Sequence, residues 1–346
     1  DCWYAYCMSK IPSTMRAAYI NKYGDNTVVQ VGELPVPTIG DNDVLVQVKA
    51  AGVNPLDIRI RDGKLKQVLP YKFPLMLGND FAGVVVAVGS RVKSVRVGDE
   101  VYARTDTMRI GSFADYIAIH QDSVSQKPHN LSMNEAASLP LVALTAWQIL
   151  VEKAHVQKGQ KVLIHGGAGG VGSIAIQLAE YLGTFVATTA SAADSDTVKK
   201  YGADQVIDYR TEDFSTILSD YDVVLDTRGG ETLQKSLTVL KPGGQVISVN
   251  GTPDADMADE MQLGALLKLV FTAMSFRTNQ KAKKLGVKYS FFFMKPSGAQ
   301  LAKLTKLFES QKLRPVVDKV YPLESVKDAL AYSESGKAKG KIVIRM

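Results

Sequence analysis

The stretch Lys161–Gly172, KVLIHGGAGGVG, restricts what this chain can become more than any other. An apolar run ends in glycines spaced G-x-G-x-x-G at Gly167, Gly169 and Gly172, and SIAIQLAEYLG follows with apolar residues at helical spacing. A strand, a tight turn and a helix in that order open a parallel α/β sheet. The first glycine permits the turn, the second lets backbone approach a pyrophosphate, and the third lets helix and strand pack closely. The phosphates then rest on the positive helix N-terminus. The pattern predicts dinucleotide binding by Gly167, Ala168, Gly169, Gly170, Val171 and Gly172; a purely structural glycine turn is the alternative.

The residues after the loop continue the alternation. Phe185–Ala190, Gln205–Ile207, Asp222–Asp226 and Gln245–Asn250 read as strands, with helices at Ser195–Tyr201 and Glu231–Leu240. Such alternation builds a doubly wound sheet. Upstream, short β-rich runs such as Val44–Ala50 and Phe81–Val88 are separated by Gly40-Asp41-Asn42, Asp62-Gly63 and Gly98-Asp99, which suggests a barrel. Ser132 and Glu135 have capping-box spacing ahead of Ala-rich helical sequence. Residues 256–285 look helical, and Val287–Met294 reads as a last hydrophobic strand. Beyond Pro296, the runs Val316–Tyr321 and Lys341–Ile344 are expected to return to the first domain. The expectation is an α/β protein with an extension at 1–14, a barrel domain at 15–137 and 298–346, and a cofactor domain at 138–297.

A length of 346 residues suits two domains, and 46% apolar with 22% charged residues is globular composition. The net charge of +6 is scattered, without the basic stripe that nucleic acid requires. No apolar run reaches a membrane span, and no cleavable leader is visible, so a cytoplasmic location is expected. The two cysteines, Cys2 and Cys7, leave the main body without a disulfide framework or Cys-rich zinc lobe.

An NAD site places Asp or Glu at the end of the second strand, where it binds the adenosine ribose. Here that strand ends Thr188-Thr189-Ala190-Ser191, with no acid before Asp194. A serine hydroxyl can donate to a 2′-phosphate, so NADPH is the expected cofactor; Ser191 as a mere loop residue is the alternative.

From Met15 to Met346 the chain resembles the zinc-independent quinone oxidoreductases of the medium-chain dehydrogenase/reductase superfamily. The resemblance is carried by AAGVNPLDIRIRDG (50–63), FPLMLGNDFAGVVVAVG (73–89), VGDEVYA (97–103), LTAWQIL (144–150), HGGAGGVG (165–172), YGADQVIDY (201–209), VLDTRGG (224–230), LKPGGQVISV (240–249) and GKAKGKIVI (336–344). YSFFFMKPSG (289–298) and LRPVVDKVYPLE (313–324) look most like the branch containing reticulon-interacting mitochondrial reductases. The resemblance implies a GroES-like barrel joined to a Rossmann domain. Zinc-dependent relatives carry Cys at the position of Asn54 and a His-Glu pair at Asn79-Asp80, so no metal is expected. Loss of those ligands moves the chemistry toward acceptors that are already electrophilic.

It also implies site roles, each with a plainer reading beside it. Asn54 would bond the nicotinamide ribose or substrate oxygen, or only cap the turn after it. Thr145 would lie near the nicotinamide, or be an ordinary helix residue. Tyr209 would border the adenosine 2′-phosphate, or pack in the core. Asn250 and Gly251 would meet the carboxamide through backbone. Phe292, Phe293 and Met294 would flank the cofactor, or form core or dimer edge. Lys199, Lys200 and Lys339 are candidate phosphate partners, with a solvated face as the plainer reading. His165 reads as structural, and Asp57 with Arg61 as a local i,i+4 ion pair. The expected activity is NADPH-dependent hydride transfer to a quinone or α,β-unsaturated carbonyl by a homodimer. A low-turnover NADPH-binding regulator is the alternative.

Overall fold

The computed structural model describes residues 11–346, so most of the expected extension, residues 1–10, lies outside the described residues. The chain first forms β1 (Thr14–Ile20), β2 (Gln30–Pro35), β3 (Asp43–Val53), α1 (Pro55–Arg61), β4 (Leu75–Met76), β5 (Asp80–Val88), β6 (Glu100–Arg104), β7 (Tyr116–His120) and β8 (Val124–Gln126). Two short helices follow, α2 (Met133–Ala137) and α3 (Pro140–Trp147). Ser132 caps α2 reciprocally: its Oγ accepts from the Glu135 N–H at 3.3 Å, and Glu135 Oε2 accepts from the Ser132 N–H at 2.9 Å.

The alternating part comprises β9 (Lys161–His165), α4 (Gly170–Tyr181), β10 (Phe185–Ala190), α5 (Ser195–Lys200), β11 (Gln205–Asp208), α6 (Phe214–Ile217), β12 (Tyr221–Asp226), α7 (Gly230–Ser236), β13 (Leu240–Ser248), α8 (Ala255–Glu260), α9 (Ala265–Lys284) and β14 (Lys288–Phe291). The strands form one parallel sheet in the order β11-β10-β9-β12-β13-β14. Central strands in such a sheet are covered on both faces, and every residue of β12 is buried. Two expectations are corrected here. The last hydrophobic strand, read as Val287–Met294, is confined to Lys288–Phe291. The helix expected to run to Leu240 stops at Ser236, because Leu240 already pairs with Tyr221 as the first residue of β13.

The tail adds α10 (Gly298–Glu309), β15 (Val317–Pro322), α11 (Val326–Glu334) and β16 (Lys341–Arg345). β16 runs antiparallel to β3, with Ile342 opposite Val53, so the end of the chain joins the barrel-like sheet β15-β16-β3-β5-β6-β8. Lys341 is thereby set beside the residue that ends β3. One apolar core joins Ala50, Ala82 and Tyr102 of the barrel to α3, α4 and α10. Among the described residues no helix is long and apolar enough to cross a membrane.

Candidate active site

The glycine loop departs from its expected division of roles at one position: the positive φ of the turn, +69°, falls on Gly166, whereas a Cβ on Gly167 would lie 2.3 Å from Thr188 Oγ1. A Cβ on Gly172 would lie 2.2 Å from the Gly166 carbonyl oxygen, so only glycine lets α4 approach the strand. A Cβ on Gly169 would meet nothing nearer than the Gly166 oxygen at 3.3 Å, which leaves that side open. Gly169 is the N-cap of the 12-residue α4, whose first turn carries no acidic side chain to compete for an anion. Gly170 and Val171 begin the helix, and Ala168 and Val171 also pack against the shared core. A dinucleotide pyrophosphate fits this cradle.

Around the ends of β3, β5 and β16 lies a buried polar network. Asn54, Asp57, Asn79, Asp80 and Lys341 are all buried. Asn54 caps α1 with its backbone N–H donating to Asp57 Oδ2 at 2.7 Å, while Asn79 Nδ2 donates to Asp57 Oδ1 at 2.6 Å. Asn54 Nδ2 donates to Asp80 Oδ2 at 2.9 Å, and its Oδ1 accepts from Lys341 Nζ. That ammonium also donates to Val53 O at 3.1 Å and Asp80 Oδ2 at 3.3 Å. Asp80 Oδ1 accepts from the Leu141 N–H at 2.8 Å and so ties the barrel to α3. Burial pushes the Asp57 carboxyl up to about 7. Burial raises Asp80 as well, against the opposing pull of Lys341. The side-chain oxygen of Asn79 has no partner although buried.

These donors do not fit a zinc ion. The site offers two amides and carboxylates already bonded to an ammonium and to N–H groups, and zinc takes thiolate, imidazole or free carboxylate. The expected Asp57–Arg61 pair does not form. Arg61 instead pairs with Asp62 at 2.6 Å and Glu334 at 2.7 Å, because burial turns Asp57 inward to two N–H donors.

The structure distributes the remaining candidates unevenly. Thr145 is buried in α3, with its hydroxyl donating to Leu141 O at 2.7 Å. Asn250 faces solvent; its Oδ1 accepts from Arg59 at 3.2 Å, across from α1, and its Nδ2 donates to Arg228 O at 3.1 Å. Beside it, a Cβ on Gly251 would come within 2.7 Å of the Ser248 and Tyr289 hydroxyls. A largely apolar cavity of about 270 Å³ is lined by Leu69, Met257, Met261, Leu263, Phe293 and Met294 among others. Phe292 packs instead against the shared core. His165 is buried, with ring nitrogens 3.1 Å from Thr189 Oγ1 and 2.9 Å from Ser236 Oγ, and burial lowers its pKa to about 4.

A second cavity of about 400 Å³ opens beyond β10 and β11, with Thr189, Tyr209, Arg210 and Arg228 among its lining residues. Ser191, at the end of β10, is buried and does not line this cavity, whereas Tyr209 is 55% exposed. Lys339 reaches Asp194 at 2.9 Å, and Lys199 and Lys200 stand exposed on α5. Sequence reasoning gave no role to Arg59 or Lys341, or to Asp194 beyond its place after the strand. For Lys341 the signal was present in GKAKGKIVI, but its partner Asn54 is 287 residues away.

Fold and site together define a two-domain, dinucleotide-dependent oxidoreductase. The alcohol dehydrogenase GroES-like domain family matches residues 40–129, and the zinc-binding dehydrogenase family matches residues 201–344. The chain is 38% identical to 2-methylene-furan-3-one reductase of Solanum lycopersicum, over 96% of this chain and 80% of that protein. It is 34% identical to the mitochondrial NAD(P)H oxidoreductase RTN4IP1 of Danio rerio, over 96% of this chain and 91% of that one. The quinone oxidoreductase of Coxiella burnetii superposes with a TM-score of 0.85 at 33% identity, covering 96% of this chain and 99% of that one. The chain belongs to the medium-chain dehydrogenase/reductase superfamily, among its NAD(P)H-dependent quinone and enone oxidoreductases.

Proposed function

We propose that this protein transfers a hydride from NADPH to the electrophilic carbon of a quinone or an α,β-unsaturated carbonyl, without a metal ion. The observation that carries the reading is the joining of an open glycine cradle to a closed Asn–Asp–Lys network where zinc-dependent relatives hold their ligands. When bound, the dihydronicotinamide supplies the hydride. Gly167 to Gly172 hold its pyrophosphate, and the backbone of Asn250 and Gly251 faces the carboxamide. Asn54 and Thr145 act as positioning residues, since their polar atoms are engaged within the protein. Leu69, Met261 and Phe293 exclude water from the acceptor, and the proton arrives from solvent. Charge formed on a quinone or enone is delocalised, so hydrogen bonds suffice where an alcohol dehydrogenase needs zinc.

Ser191, Tyr209 and Lys339 surround the adenosine 2′-phosphate in this reading. We place the barrel domain at 15–137 and 298–346 and the cofactor domain at 138–297; the support is that every strand of the parallel sheet falls between residues 161 and 291. We also place two copies edge to edge through β14. Among the described residues that strand ends its sheet without a neighbour on one side, and α9 exposes Leu266, Leu269 and Phe276 nearby. A stable monomer in micromolar sedimentation runs would overturn the dimer.

The deciding experiment measures NADPH oxidation by chelator-treated protein against a panel of quinones, enones and simple ketones, with elemental analysis of the same sample. Turnover confined to quinones and enones at substoichiometric zinc is expected. Absence of turnover would favour the regulatory reading, and activity that follows bound zinc would sink the metal-free one.

A further inference from the structure

We propose that Asp194 limits how strongly the adenosine pocket favours a 2′-phosphate, by occupying the two groups that would hold it. The inference rests on reading the end of β10 at Ser191 as the adenosine end of the cofactor site. At Ser191 the chain leaves β10 and turns through residues 192–194 before α5 begins. The turn folds the Asp194 carboxylate back over the strand end, and the Asp194 N–H donates to Ser191 O at 2.9 Å. Asp194 Oδ2 accepts from Ser191 Oγ at 2.6 Å, and Oδ1 lies 2.9 Å from Lys339 Nζ.

A serine hydroxyl has one proton to give, and here the carboxylate takes it. The charge of Lys339 is likewise already matched. Burial works to raise the Asp194 carboxyl, but the Ser191 and Lys339 contacts, with Arg210 nearby, hold it below the usual range. It is therefore ionised at neutral pH. An incoming 2′-phosphate, itself a dianion or close to it, must take both donors from this carboxylate and then remain beside it. A ribose 2′-hydroxyl meets no such opposition, since it can donate to the same carboxylate. The acid that an NAD site carries at the strand end is here supplied from the following turn, and it opposes Ser191 and Lys339. Lys339 belongs to the segment leading into β16 of the barrel, so the competition also spans the two parts of the molecule.

The test uses Asp194→Asn and Asp194→Ser in the full chain. Adenosine 2′,5′-bisphosphate and 5′-AMP are titrated calorimetrically into wild type and both variants, and kcat/KM is measured with NADPH and NADH. Releasing two charge-assisted donors should tighten the bisphosphate by about five- to tenfold and leave 5′-AMP within about twofold or weaker. The NADPH-to-NADH ratio in kcat/KM should rise in parallel. Wild type that binds 5′-AMP, with variants that bind the bisphosphate no better or more weakly, overturns the proposal: Asp194 would then be orienting Ser191 and Lys339 for the phosphate. If wild type binds neither nucleotide while turning over NADPH, the placement of the adenosine site fails, and this proposal with it.

Discussion

Lys339 and Lys341 lie two residues apart, and each meets an aspartate of a distant segment, yet the two pairs differ in physical weight. Lys341 and Asp80 are 6% and 0% exposed, and further hydrogen bonds complete their network. Lys339 and Asp194 are 59% and 15% exposed. Breaking a buried pair strands a desolvated charge, whereas an exposed pair is screened and contributes little to folding. The buried pair therefore ties β16 to β5 and α3, while the more exposed pair is, in the proposal above, the one a ligand displaces. Similar chemistry serves structure in one place and selectivity in the other.

The strongest way to break this contrast is Lys341→Met. Leaving Asp80 buried without its ammonium should cost roughly 3–5 kcal/mol of unfolding free energy in urea titrations, and adding Asp80→Asn should recover most of it. A single variant as stable as wild type would mean that Asp80 is protonated and the pair neutral.

Asp57 gives the next effect. Its carboxyl moves from 3.8 up to about 7 in the fold, so between those values the folded state keeps a proton that the unfolded chain releases. Its contribution is thus unpenalised below about pH 4 and declines as pH rises to about 7, by up to about 1.4 kcal/mol per pH unit. Asp57→Asn should flatten that part of the stability–pH curve relative to wild type. An unchanged slope would remove Asp57 as its source.

At the end of β10, Ser191→Asp should set a second carboxylate against the 2′-phosphate. NADPH kcat/KM should fall about tenfold or more, in line with roughly 1.5–3 kcal/mol for a charge-assisted hydrogen bond. NADH turnover should fall far less, because the glycine loop is untouched. An unchanged cofactor ratio would displace Ser191 from the pocket. The smallest effect expected is that of Lys339→Met on folding: its thermal midpoint should match wild type within error, and a shift comparable to that of Lys341→Met would erase the distinction between the pairs.

Much of this was legible before any coordinates. The glycine loop is local: strand, turn and helix lie within a single stretch, although the positive φ of the turn falls on Gly166 and not on Gly167. The order of strands and helices was legible for the same reason, since periodicities of two and 3.6 residues report local geometry. Element ends were less so. Leu240 read as the close of a helix because nothing local shows that Tyr221 pairs with it. At the site, Asn54 and Asp80 could be marked through the family resemblance, but their hydrogen bonds could not. Asp57 and Arg61 have ideal helical spacing for an ion pair, yet burial gives each a different partner.

The sequence by itself determined the class of fold and the strand–loop–helix of the glycine motif, because these depend on neighbours in the chain or on residue type alone. Tertiary structure decided which polar groups are used up and which remain available. β16 returns Lys341 to Asn54 across the whole chain, and the turn after β10 folds Asp194 over Ser191. Burial and long-range pairing set the value of a charge, and neither can be read from the residues on either side of it.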